Sequence, residues 1–111
     1  MRIQEDIKTR YSDFKNLLIS HKVKYLYAFG SSITEKFDPS RSDIDFVVEI
    51  DDNDPIERGE KLMDLWDKFE GLFKRKVDLL TDSSIRNPIL KQNIDRTKIL
   101  IYDGKGKKIL I

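Results

Sequence analysis

The chain has 111 residues, the length of one domain with one core, and that domain is expected to span 1–111. Charged side chains make up 37% of it, but 21 Lys+Arg against 20 Asp+Glu leave a formal charge of +1, so no broad basic field points to a nucleic-acid partner. Cys is absent, which excludes disulfides and thiolate metal sites and leaves oxygen ligands or the single His21 for any cation.

The opening residues, Met1-Arg2-Ile3-Gln4-Glu5-Asp6, lack an apolar signal-peptide core, and no stretch approaches a membrane span. The expectation is a soluble cytoplasmic protein with no membrane contact. Ile3, Ile7, Tyr11, Phe14 and Leu18 recur at three- and four-residue steps, which predicts one amphipathic helix of about five turns ending near Ser20-His21. His21, alone at that helix end, is expected to complement the helix dipole and to carry no chemistry. Val23 to Phe29 alternates as a strand, and Gly30-Ser31-Ser32 breaks it. Residues 31 to 42 read as a loop with a short helical turn. Ile44 to Ile50 is a second strand, rich in β-branched and aromatic residues.

Asp54, Pro55 and Glu57 form a capping arrangement that opens a helix. Leu62, Leu65, Trp66 and Phe69 are its apolar stripe, and Gly71 is its expected end. Val77 to Thr81 is a short third strand carrying Asp78. Asn87-Pro88 begins a short helix to about Asp95, with Ile89, Leu90 and Ile94 inward. Lys98 to Tyr102 is a fourth strand, and Lys107 to Ile111 pairs back after the Gly104–Gly106 turn. Strands alternating with helices predict an α+β class, an α/β sandwich on a mixed β-sheet with helices packed on it. If Ser31 at the end of the first strand is to meet Asp43 at the start of the second, strands 1 and 2 run antiparallel, and the following helix suits a parallel crossover.

The chemistry concentrates in three places. Asp43 and Asp45 stand two apart on a strand and project to the same face. Two such charges repel by about 1 to 4 kcal/mol at about 4 Å, depending on the dielectric, a cost that a divalent cation reverses. Asp78 interrupts an otherwise apolar strand. Three aspartates on neighbouring strands can hold two Mg²⁺ for in-line phosphoryl or nucleotidyl displacement, and a site without His or Cys suits Mg²⁺. Gly30 lets the backbone approach a phosphate, Ser31 and Ser32 add hydroxyls beside backbone N–H groups, and Lys36 and Arg41 can neutralise phosphate charge.

Phe29-Gly30-Ser31, Ser42-Asp43-Ile44-Asp45-Phe46-Val47-Val48 and Val77-Asp78-Leu79-Leu80 resemble the minimal nucleotidyltransferase (MNT) family of the DNA polymerase β superfamily. The likeness continues into Asn87-Pro88-Ile89-Leu90 and Ile99-Leu100-Ile101-Tyr102, and so covers nearly the whole chain in element order. The resemblance implies a nucleotidyltransferase fold and assigns both metals to Asp43 and Asp45. Asp78 would complete one metal site and help activate the acceptor hydroxyl, while Gly30 and Ser31 grip the triphosphate. It implies ATP as the substrate, and as the partner a helical HEPN-class toxin, silenced by AMP placed on one of its tyrosines. Where the family commonly carries an Ala-Arg pair shortly after Gly-Ser, this chain has Ile33-Thr34, with Lys36 or Arg41 as substitutes. That departure carries the alternative expectation of a non-catalytic antitoxin that neutralises its partner by complex formation.

Overall fold

The computed structural model describes residues 3–34, 38 and 43–111. Helices α1 (Ile3–Thr9) and α2 (Tyr11–Ser20) lead into strand β1 (Val23–Phe29) and a 3₁₀ turn over Gly30–Ile33. Strand β2 (Ile44–Ile50), helix α3 (Pro55–Phe73) and strand β3 (Val77–Leu80) follow. Helix α4 (Pro88–Thr97) then precedes β4 (Ile99–Asp103) and β5 (Lys108–Ile109). Among the described residues the strands form one five-stranded sheet in the order β3-β2-β1-β4-β5. β1 is antiparallel to both β2 and β4, and β2 is parallel to β3 across the α3 crossover. This is the expected mixed sheet.

The two faces of β2 have different work. Ile44, Phe46, Val48 and Ile50 point into the main core with Leu26, Ala28, Val77 and Leu79. Ile3, Ile7, Phe14, Leu18, Leu65, Phe69 and Phe73 from α1, α2 and α3 cover that face. At its centre Phe14, Phe46, Phe69 and Phe73 pack ring against ring, with centroids from 5.4 Å (Phe46–Phe69) to 6.3 Å (Phe14–Phe46). The opposite face carries a smaller cluster, Val47, Ile85 and Ile94, flanked by Tyr27, Phe29 and Leu80. Asp45 and Asp78 lie on this second face.

Several expectations change in detail. The predicted five-turn helix is two helices. Arg10 leaves helical geometry (φ −122°, ψ 26°), and its N–H bonds to Ile7 O, three residues back. The Thr9 hydroxyl donates to Asp6 O at 2.8 Å, so a side chain competes with the helical ladder there. Tyr11, placed in the inward stripe, is 42% exposed. Asp54 caps α3 by accepting the Ile56 N–H, as expected, but α3 does not stop at Gly71. It continues to Phe73, buried to 1% exposure, and ends at Lys74 in left-handed geometry (φ 55°). Burying a phenylalanine is worth about 2–3 kcal/mol, more than the roughly 1 kcal/mol cost of a helical glycine. In α4, Ile94 is buried, but Ile89 and Leu90 are exposed. Ile89 is five residues from Ile94, about 140° around the wheel, so both cannot face the sheet. Leu90 shares the Ile94 side but sits a turn nearer the helix start, where Asn87 accepts the Ile89 and Leu90 N–H groups. His21 is buried rather than merely terminal: Nε2 lies 2.6 Å from Asp64 Oδ2 and Nδ1 2.8 Å from Leu17 O, tying α2 to α3.

The aromatic cluster lies directly behind the aspartate face, since Phe46 follows Asp45. Phe69→Ala is expected to cost about 3–5 kcal/mol in urea unfolding. A loss below about 1 kcal/mol would show that this cluster is not the mechanical support of β2.

Candidate active site

Register builds the site. In the parallel β2–β3 pair Asp45 stands directly beside Asp78, and in the antiparallel β1–β2 pair it stands opposite Phe29. Phe29 immediately precedes Gly30, so the turn is delivered onto the Asp45 side chain. Gly30 has φ +65°, a conformation that only glycine adopts freely. A Cβ built there would meet Asp45 Oδ2 at 2.8 Å, so the absent side chain is also what admits the carboxylate. Ser31 is exposed and its carbonyl accepts from the Thr34 N–H and hydroxyl, each at 3.1 Å. Ser32 is fully buried, and its hydroxyl accepts the Asp45 N–H at 2.9 Å. Expected beside a phosphate, Ser32 is instead turned inward to hold the backbone of Asp45.

Asp45 is half-buried, and its carboxyl is raised from 3.8 to about 6. Burial is the largest cause, followed by the charge of Asp78, a hydrogen bond with the Asp78 carboxyl and the charge of Asp43; Lys76 works in the opposite direction. Asp43 opens the strand on the surface, its Oδ2 4.0 Å from Lys76 Nζ. That exposed contact contributes little to stability. The structure therefore brings together Asp45, Asp78, Gly30 and Ser32, with Asp43 at the rim and Ser31 exposed beside the turn. Lys36 and Arg41 lie outside the described residues.

Among the described residues no three carboxylate, imidazole or thiolate groups converge as a ready-made cation cage. The donor chemistry nonetheless fits a hard divalent ion such as Mg²⁺. Only carboxylate oxygens are offered, and the burial and mutual repulsion that raise Asp45 are what such a cation relieves. Mg²⁺ usually takes one or two carboxylates and completes its shell with water and substrate phosphate, so an adjacent pair with a third carboxylate at the rim is a suitable donor set.

Two supporting residues escaped the sequence reading. Trp66 belongs to the apolar stripe of α3, and Glu70 carries no periodic signal. The Trp66 indole N–H donates to Val77 O, and a Glu70 carboxylate oxygen accepts the Val77 N–H at 3.0 Å. The only available signal was the tryptophan itself, since a buried indole N–H requires an acceptor.

The electrostatics set a pH signature for the metal-free protein. A carboxyl held above its unfolded value favours folding most at low pH, and that contribution is lost as pH rises through the folded value, here between 3.8 and about 6. The full difference corresponds to roughly 3 kcal/mol, reduced to about 1–2 kcal/mol because the carboxyl remains half in reach of water. With metal chelated, Asp45→Asn is expected to raise the melting temperature by a few degrees at pH 7.5 and to change it little at pH 4. A lower melting temperature for the variant at pH 7.5 would mean that Asp45 stabilises the fold through an ion pair instead.

The family described as "Polymerase beta, Nucleotidyltransferase" matches residues 12–107, a span that includes the Gly30 turn and all three aspartates. A Methanocaldococcus jannaschii protein named "Putative protein adenylyltransferase" is 34% identical over 102 residues, covering 91% of this chain and 100% of the relative. A solved toxin–antitoxin structure with AMP-PNP is 26% identical, with a TM-score of 0.51 over 80% of this chain and 73% of that one. A complex of a tri-AMPylated Shewanella oneidensis HEPN toxin with an MNT antitoxin aligns at a TM-score of 0.52, over 89% of this chain and 74% of that one. Its 22% identity makes that a likeness of fold. The chain is a member of the polymerase beta nucleotidyltransferase family.

Proposed function

We propose that this nucleotidyltransferase moves AMP from ATP onto a hydroxyl of a protein, a tyrosine of a HEPN-class toxin, and thereby acts as the antitoxin of the pair. The observation that carries the reading is the placement of Asp45 beside Asp78 with the Gly30 turn packed onto the Asp45 carboxylate. The protein adenylyltransferase name of the archaeal relative supports AMP and a protein acceptor. The toxin–antitoxin structure with AMP-PNP supports a nucleotide donor and a toxin partner. ATP as donor fits a cytoplasmic setting, and residues 1–111 act as one catalytic domain.

In this reading Asp43 and Asp45 hold Mg²⁺ and Asp78 completes one of two metal positions. Bound there, the cation supplies charge neutralisation of the triphosphate and of the charge that develops during transfer. Gly30 and Ser31 bring backbone N–H groups and a hydroxyl to the phosphates, with Lys36 and Arg41 as further cationic contacts. Ser32 keeps Asp45 in register with Asp78. The acceptor oxygen attacks the α-phosphorus; its new P–O bond forms as the bond from that phosphorus to the β-bridging oxygen breaks, and pyrophosphate leaves. The hydroxyl proton passes to the Asp78 carboxylate. With a formal charge of +1, these residues offer no broad basic field for nucleic acid in this scheme.

A second reading has its own observation. Ile33-Thr34 stands where the family commonly carries Ala-Arg, and Lys76 Nζ lies 4.0 Å from Asp43 Oδ2, at the place where a cation would bind. On that basis the chain neutralises its partner by binding alone.

Incubation with labelled ATP, Mg²⁺ and the toxin partner separates the two. Asp43→Asn and Asp45→Asn are each expected to reduce transfer by roughly 10²–10³-fold, the scale of losing a principal electrostatic group. Gly30→Ala is expected to reduce it as well, because its Cβ must displace the Asp45 carboxylate. Transfer that persists in both aspartate variants would exclude the proposed mechanism. Neutralisation without ATP and without either aspartate would establish the binding-only reading.

A further inference from the structure

β3 is an edge strand of four residues, and its second residue is Asp78. Along a strand, successive residues turn their backbone N–H and C=O to alternate sides in the plane of the sheet. Lys76 O accepts the Ile44 N–H at 3.1 Å, so the Lys76 carbonyl faces β2. The Val77 N–H and C=O consequently point outward, where no further strand is present among the described residues. Both are taken by α3. Glu70 supplies the acceptor for the N–H, and the Trp66 indole supplies the donor for the C=O.

Trp66 and Glu70 are four residues apart, one turn of helix, on the same face of α3. Together they present one acceptor and one donor to a single residue, as a neighbouring strand does. The Val77 side chain is fully buried in the main core, so this residue is fixed on three sides. Asp78 follows it directly and points to the opposite face, beside Asp45. A packed hydrophobic edge could be protected from aggregation by a charged side chain pointing into solvent. Two side chains closing both backbone polar groups of one residue do more, because they fix the peptide units on either side of its Cα at the point where the strand enters the site.

We propose that Trp66 and Glu70 are positioning residues for Asp78, acting as a surrogate strand that fixes Val77 and through it the Asp78 carboxylate. The proposal rests on the reading of Asp78 as a metal ligand, and its test separates the two. The informative variants are Glu70→Met, which keeps length and removes the acceptor, and Trp66→Phe, which keeps the ring and removes the donor. Glu70→Gln retains an acceptor oxygen and serves as the conservative rescue. The readouts on the full chain are Val77 amide exchange, the Asp78 carboxyl ¹³C shift without metal, and Mn²⁺ affinity.

Glu70→Met is expected to speed Val77 exchange by about 10-fold, to move the Asp78 shift, and to weaken Mn²⁺ by about 10-fold or more, the usual scale for outer support of a ligand. Trp66→Phe should move the Asp78 shift in the same way, while Glu70→Gln stays near wild type. Faster Val77 exchange with an unmoved Asp78 shift in both disruptive variants would reduce the contacts to strand stability and overturn the proposal. Unchanged Val77 exchange in Glu70→Met would overturn it at the first step. A wild-type chain that binds no Mn²⁺ would defeat the metal reading instead, and the Asp78 shift would then decide the positioning by itself.

Discussion

The arrangement on which the rest depends is the side-by-side placement of Asp45 and Asp78 in the parallel β2–β3 pair. Two half-buried carboxylates in adjacent register oppose folding, and the raised Asp45 carboxyl is the direct expression of that cost. The opposite face of the same two strands supplies the compensation. Ile44, Phe46 and Val48 on β2, with Val77 and Leu79 on β3, are among the most buried side chains of the chain. A one-residue slip of either strand would turn aspartates into the core and apolar groups outward, so hydrophobic register keeps the charges together.

Around that pair, small contacts serve accuracy more than stability. Gly30 permits contact with the Asp45 carboxylate, and the buried Ser32 hydroxyl holds the Asp45 N–H. The phenylalanine cluster lies on the far side of Phe46, so the backbone that carries Asp45 is clamped between aromatic packing and the 3₁₀ turn. Asp45 and Asp78 are therefore carried on strands, and the 3₁₀ turn at Gly30 makes a close approach to them. A rigid pair of carboxylates that repel one another is suited to a reaction in which positive charge arrives with the substrate.

How much of this could be read in advance varied by residue, for physical reasons. β1 and β2 follow the sequence reading to the residue, because both are rich in β-branched and aromatic residues and Gly30 and Asp51 punctuate them. Antiparallel β1–β2 and parallel β2–β3 pairing followed from requiring Ser31 near Asp43 and a helix between the next strands. The break at Arg10 carries no Gly or Pro and depends on a threonine hydroxyl competing for one carbonyl. Gly71 looked like a stop, and tertiary burial of Phe73 overrode it. Ile89 and Leu90 were apolar at the start of a short helix whose contact with the sheet is limited to its far end. The placement of Asp45, Asp78 and Gly30 is legible because strand parity and glycine conformation are local rules. The supporting roles of Ser32, Trp66 and Glu70 are not, because a hydroxyl, indole or carboxylate that bonds a distant backbone group leaves no periodic trace.

The most direct test of the account is a carboxyl-resolved NMR titration of Asp45 with and without Mg²⁺ and a non-hydrolysable ATP analogue. The expected midpoint is near 6 in the metal-free chain and falls to or below the ordinary value of 3.8 when cation and nucleotide are present. A midpoint unmoved by cation and nucleotide would contradict the claim that these strands were brought into register to receive them.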